Sequence, residues 1–263
     1  AALLCILIGL AVGFLVLLAI NPAHAWADGF VRILKGGFHD APYGVGKELA
    51  NAAPLIMTGL SVGFAFKTGL FNIGASGQYT MGAFFALLCA IQFQLPWFVC
   101  LLAGAVGGAI WGVFPGLFKA YFNVNEVITS IMTNWIAANI VAAVFDGSKF
   151  VNSIDYGKSG FTLKLATNGV ATTKLGLDKL FPGSSVNAGI LLTILFAVAC
   201  WLLMSKSRVG FELRACGSNK NAAKLAGMNE KRNIVLAMAI SGALAAAGSA
   251  LYYLQGDIEF YWH

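Results

Sequence analysis

With 263 residues, 59% of them hydrophobic and only 11% charged, the chain carries less than half the charge of an ordinary soluble domain, roughly 25%. Its mean hydropathy of +0.78 marks a polytopic membrane protein. The formal charge of +6 lies in segments flanking apolar runs, so topology explains it and a nucleic-acid ligand is not called for. Cys5, Cys89, Cys100, Cys200 and Cys216 show no CxxC or metal-ligand spacing, which leaves no disulfide framework or metal centre to read.

Seven apolar runs, 1–20, 49–66, 70–91, 97–118, 124–145, 188–204 and 234–254, are long enough to cross a hydrocarbon core of about 30 Å as helices. The expected fold is all-α, a transmembrane bundle of about seven spans forming one domain over 1–263. Run 1–20 has no basic segment ahead of it and reads as a span, not a cleavable signal. A chain opening on Ala1 is expected to start inside a longer one. Segment 21–47 mixes Trp26, Phe30, Ile33, Leu34 and Phe38 with Arg32, Lys35 and Asp40, which suits a helix lying along the interface.

Stretch 67–78, KTGLFNIGASGQ, places Gly69, Gly74 and Gly77 with Asn72, Ser76 and Gln78 between two apolar runs. Two readings fit. One is a broken helix at membrane depth, which is tolerated where it lines a cavity or is buried in protein; the other is a cytoplasmic turn whose polar residues cap two helices. The fourth run carries Gly104, Gly108, Gly112 and Gly116 at four-residue spacing, a face bare of side chains that lets another helix approach closely. Gly59 with Gly63, and Ser241, Gly242, Ala245, Ala246 and Ser249, offer similar faces, and Pro115 is expected to kink the fourth span.

In the fifth run, Asn123 or Asn125 suits an N-cap and Glu126 the first turn. Asn134, nine residues beyond Asn125, lies about 13 Å further along the axis, near the midplane. An amide there needs a partner, and both interhelical hydrogen bonding and substrate recognition supply one. Segment 146–187 forms a long loop whose Gly157-Lys158-Ser159 echoes the end of a phosphate-binding loop; Asn152 stands where its first Gly belongs, so no nucleotide site is read there. No catalytic constellation appears, and the sequence offers no catalytic or metal-ligating residues to read.

Segment 206–232 carries Lys206, Arg208, Arg214, Lys220, Lys224, Lys231 and Arg232 against Glu212 and Glu230. Such an excess marks a cytoplasmic loop. Counting back places Lys119, Lys67 and the N-terminus inside, with 21–47 and 146–187 outside. Within the loop, taken as 205–232, Ser218 reads as an N-cap, 219–226 as two helical turns with Ala222, Leu225 and Ala226 on one side, and Gly227 as the stop. A helix this short is marginal alone. It packs either on its own chain or on a cytoplasmic partner.

Three stretches carry a resemblance: GLSVGFAFKTGLFNIGASGQYTMGAF at 59–84, NEVITSIMTNWIA at 125–137, and SRVGFELRACGSNKNAAKLAGMNEKRN at 207–233 leading into ISGALAAAGSAL at 240–251. Together they resemble the membrane permease subunits of ATP-binding cassette importers, most closely the branch handling nucleosides and simple sugars, relatives of the ribose and branched-chain amino-acid permeases. The resemblance implies a prokaryotic cytoplasmic-membrane protein that forms a translocation pathway with a second permease, a paralogue or an identical copy. A cytoplasmic ATPase would hold ATP and Mg, this chain binding no cofactor, and an external binding protein would deliver the substrate. Residues Ser218, Asn219, Ala222, Ala223, Leu225, Ala226 and Gly227 would then form the coupling helix, and Asn72, Ser76, Gln78, Asn134 and Trp135 the candidate pathway. Family members continue with further spans beyond a segment like 255–257, so such spans are expected after His263. The competing readings are a sugar or branched-chain amino-acid permease and, from another class, a secondary transporter or channel. The last would call for ionisable residues at membrane depth, whereas Glu126 and Lys67 lie near span ends.

Overall fold

A computed structural model describes residues 2–38, 40–146, 148, 150, 162, 170–256 and 258–261. The Gly157-Lys158-Ser159 triplet and Asn152 lie outside the described residues. The helices are α1 (Ala2–Ile20), α2 (Val31–Lys35), α3 (Tyr43–Lys67), α4 (Ala75–Gln92), α5 (Trp97–Phe122), α6 (Glu126–Phe145), α7 (Leu177–Leu180), α8 (Gly189–Lys206), α9 (Arg208–Ser218), α10 (Lys220–Leu225) and α11 (Glu230–Tyr253). Several outrun their apolar runs, as α3 does by starting six residues before Leu49, because the backbone ladder continues as long as solvated polar side chains leave it intact.

Among the described residues six helices, α1, α3, α5, α6, α8 and α11, are long and apolar enough to cross a membrane. The chain is thus a multi-pass membrane protein. The third apolar run, 70–91, which forms α4, departs from this set. The helix begins at Ala75, not at Leu70, and its first turn holds Ser76 and Gln78. Lys67, Lys119 and Lys206 lie at the ends of α3, α5 and α8 and define a basic end of the bundle.

Helix α11 is the axis, with α5, α3 and α4 around it, α6 on α4 and α5, and α8 on α3. Small residues explain the position: Ser241, Gly242, Ala245, Ala246, Ala247, Gly248, Ser249 and Ala250 are all buried. The glycine face of α5 meets it. A Cβ on Gly108 would run into Ala246 Cβ and the Gly242 carbonyl, one on Gly112 into the Met238 carbonyl, and one on Gly116 would lie 3.1 Å from Val235 Cα; Gly104 faces Gly82 O and Ala250 Cβ. Bare backbones therefore pack directly, gaining close dispersion contact in a setting with little hydrophobic drive between helices. Helix α5 continues through Pro115.

Gly59 and Gly63 behave differently, with nothing within 4 Å of an added Cβ. They line an apolar groove of about 490 Å³ between α3 and α8, with Leu60, Phe64, Ala197 and Trp201. Segment 21–47 is also unlike the single interfacial helix expected: a π-helical turn at Ala25–Phe30, then α2 and a 3-10 turn at Gly36–Phe38. Phe14 of α1 packs edge-on against Trp26 with ring centroids 5.6 Å apart, and among the described elements α1 touches only this π-helical turn.

Candidate functional site

The chain between α3 and α4 leaves the helical ladder at Gly69, whose φ of +72° suits glycine, and regains it at Ala75. Non-helical backbone needs partners for its polar groups. Asn72 and Gln78 supply them as a reciprocal amide pair: Asn72 Nδ2 donates to Gln78 Oε1 at 2.7 Å, and Gln78 Nε2 donates to Asn72 Oδ1 at 3.3 Å. The second proton of Asn72 Nδ2 reaches Ser241 Oγ at 2.7 Å. Ser61 Oγ donates to Ser241 O at 2.7 Å and Ser241 Oγ to Ser61 O at 2.8 Å. All four side chains are buried, and together they form a polar clamp joining α3, the break, α4 and α11.

Asn134 performs the capping that α4 lacks. Its N-cap, Gly74, has no side chain to offer, which leaves first-turn amides without partners. Asn134 Oδ1 accepts from Gly77 N–H at 2.9 Å, and its Nδ2 donates to Ile73 O at 3.1 Å. Gly77 is what lets α6 come this close: a Cβ there would stand 2.8 Å from Asn134 Cα. Of the two roles open to Asn134, interhelical hydrogen bonding is the one its amide fills. Ser130 Oγ, beside Gly74, is buried with no hydrogen-bond partner among the described residues.

The other two candidates point outward. Ser76 is exposed and Trp135 is 69% exposed. They share their side of the bundle with Asn139, exposed and donating to Trp135 O at 2.8 Å, and with the half-buried Thr80. Asn139 lies 13 residues into α6, about 20 Å along its axis, at a depth where lipid would leave its free amide groups unpaired. Two cavities share Tyr79, and the second of them reaches Thr80. One, of about 390 Å³, lies between Asn51, Pro54, Leu55, Thr58, Tyr79 and Tyr252. Another, of about 280 Å³, is bounded by Tyr79, Thr80, Ala138, Tyr253, Phe260 and Tyr261. The rings of Tyr79 and Tyr253 are 6.3 Å apart at their centroids. These tyrosines are absent from the sequence-derived candidates. Their only signal was polar-tipped rings inside apolar runs, a pattern shared with interfacial anchors.

At the basic end, Ser207 caps α9 by accepting from Gly210 N–H at 3.0 Å, and Gly210, Leu213 and Cys216 are its buried stripe. This helix, read from sequence as charged loop, extends to Ser218. The cap of the next helix is therefore Asn219, whose Oδ1 accepts from Ala222 N–H at 3.0 Å; Ser218 ends α9 because the chain at Asn219 is extended (φ −153°). Helix α10 closes at Gly227, with φ +78° and N–H bonded to Lys224 O at 3.0 Å, as a left-handed C-terminal stop requires. Ala223 is buried, Ala222 and Ala226 are exposed, and Leu225 is 91% exposed. Lys220 reaches Glu230 at 3.8 Å, and Lys119 pairs with Glu126 at 2.8 Å between α5 and α6. Gly217, near the end of α9, lies backbone to backbone on the turn after α3: a Cβ on Gly69 would stand 2.7 Å from Gly217 Cα.

The multi-pass helical bundle agrees with the comparisons to known proteins. Residues 46–260 match the family described as branched-chain amino acid transport system / permease component. The chain is 35% identical to the guanosine ABC transporter permease protein NupP of Bacillus subtilis, covering 98% of this chain and 72% of that protein. It is 35% identical to the glucose ABC transporter permease protein TsgB13 of Haloferax volcanii, covering 93% and 65%. To the nucleoside ABC transporter permease protein NupB of Lactococcus lactis it is 31% identical, covering 98% and 74%. No solved structure matches the chain. With the match running through every helix from α3 to α11, the chain belongs to the permease-component family of branched-chain amino acid transport systems.

Proposed function

We propose that the chain is the permease subunit of an ATP-binding cassette importer for nucleosides, purine nucleosides foremost, and does no chemistry of its own. In this reading a second permease, a paralogue, faces the side bearing Ser76, Thr80, Trp135 and Asn139, so that polar groups at membrane depth border a pathway and not lipid. Asn72, Gln78 and Asn134 hold the broken helix that forms the floor of that pathway. The basic end and the N-terminus are cytoplasmic, in the cytoplasmic membrane of a prokaryote. A cytoplasmic ATPase, holding ATP and Mg, receives α10, and an external binding protein delivers the substrate at the opposite end.

The observation that carries the reading is Leu225, 91% exposed on a helix fixed at both ends by Asn219 and Gly227. An apolar side chain displayed on a rigid tip is suited to a pocket on a partner. The nucleoside assignment draws on the relatives named for guanosine and nucleosides; the relative named for glucose gives the competing arm of the test. Uptake of labelled guanosine is measured in cells with and without the chain, all subunits present, against excess adenosine, uridine, ribose and leucine. Chain-dependent uptake blocked by nucleosides alone is expected. Leu225→Asp should lower that uptake at least about 20-fold at unchanged membrane abundance, since a carboxylate cannot enter an apolar pocket unpaired. Uptake retained by the variant would remove the docking role of α10.

A further inference from the structure

We propose that the two tyrosine-lined cavities are successive stacking stations for the base of a nucleoside, with Tyr79 as the ring common to both. The assignment rests on the nucleoside reading above and gives it residues. The first cavity, about 390 Å³, falls in the size range of small-molecule sites, roughly 300–1,000 Å³. The second, about 280 Å³, adjoins it across Tyr79.

The lining chemistry narrows the ligand. None of the described residues around either cavity carries a formal charge. An amino-acid zwitterion or a nucleotide would leave its charges without partners in such a site, whereas a nucleoside is neutral. In the second cavity four aromatic rings, Tyr79, Tyr253, Phe260 and Tyr261, stand with Thr80, and the three tyrosines and the threonine carry its hydroxyls. Four rings at one site offer the flat faces on which a base stacks. The ring cluster is continuous: Tyr253 lies 5.0 Å from Phe260 and 5.1 Å from Tyr252 between centroids.

Two threonine hydroxyls at the rim have their protons engaged within their own helices. Thr58 Oγ1 spends its proton on Pro54 O at 3.0 Å, and Thr80 Oγ1 on Ser76 O at 3.0 Å, so each faces its cavity as an acceptor. Asn51 adds one amide with both characters. These acceptors, with the tyrosine hydroxyls of the same linings, can meet the ribose hydroxyls and the ring or exocyclic N–H groups of a nucleoside. Tyr79 follows Gln78, so the shared ring stands one residue along α4 from the buried clamp.

The test uses the assembled transporter in membrane vesicles with labelled guanosine. Stacking on one aromatic side chain commonly changes binding by tenfold or more. Tyr79→Leu is therefore expected to raise KM about tenfold, and Tyr79→Phe, which keeps the ring, only about two- to threefold. Independently of any variant, 8-azidoguanosine should photolabel the wild-type chain at the peptides bearing Tyr79 or Tyr252–Tyr253, and excess guanosine, not ribose, should prevent it. Guanosine uptake that keeps its KM within twofold in Tyr79→Leu and Tyr252→Leu, with photolabel elsewhere, overturns the stacking stations and leaves the nucleoside reading standing. Uptake of ribose or leucine without guanosine defeats the nucleoside reading itself. Should the leucine variants fail to reach the membrane, the photolabelled positions decide.

Discussion

Asn134 and Asn139 lie five residues apart on α6 and serve different surroundings. The first is fully engaged with the backbone of the broken segment; the second faces outward, bonded only to its own helix. The same division runs through the glycines. Gly108 has Ala246 and Gly242 against it, while Gly63 has open space. Residue type therefore does not tell which side of the bundle a group serves. Its neighbours do, and the interior about α11 has spent its small and polar residues on holding the fold.

Substitutions can test that division. Gly108→Leu puts four carbons where two backbones already touch and should cost several kcal/mol by overpacking, enough to remove the protein from the membrane. Gly63→Leu, facing the apolar α3–α8 groove, should leave both abundance and guanosine uptake within about twofold. Quantitative blotting beside an uptake assay checks the pair, and equal losses would erase the distinction between seam and groove. Asn134→Leu strands Gly77 N–H and Ile73 O, so a loss of about 1–3 kcal/mol is expected. Thermal melting in detergent should record it, with the KM of the surviving transporter little changed. The smallest effect is expected from Ser130→Ala. Removing a buried hydroxyl without a partner among the described residues should be neutral or stabilising by up to about 1 kcal/mol, and a clear fall in melting temperature would show that the hydroxyl has a partner after all.

Much of the architecture was legible in the chain because apolar length and flanking charge are one-dimensional signals. The all-helical spans, an interruption after Lys67, a cap at Asn123 or Asn125, of which Asn125 accepts from Val127 N–H at 2.9 Å, and the Gly227 stop could be read locally. Helix α9 escaped because its short apolar stripe, Gly210, Leu213 and Cys216, is diluted by charged residues, which moved the cap of α10 from Ser218 to Asn219. The pairing of Asn72 with Gln78 and Ser241 depends on a contact 169 residues distant, beyond any local pattern. The tyrosine cavities are assembled from α3, α4, α6, α11 and the segment following it, and no single stretch displays them.

Gly69 and Gly217 meet through main chain alone. Side chains between moving parts act as springs, because rotamers absorb displacement; here there are none to absorb it. The end of α9 and the turn form a pin joint without slack, so α9 cannot shift without drawing Thr68 and Gly69 along or opening a void between them. Asn72 lies three residues further on, too few for the chain to go loose. The end of α9 thus has a short, stiff linkage to the amide pair at the centre of the bundle.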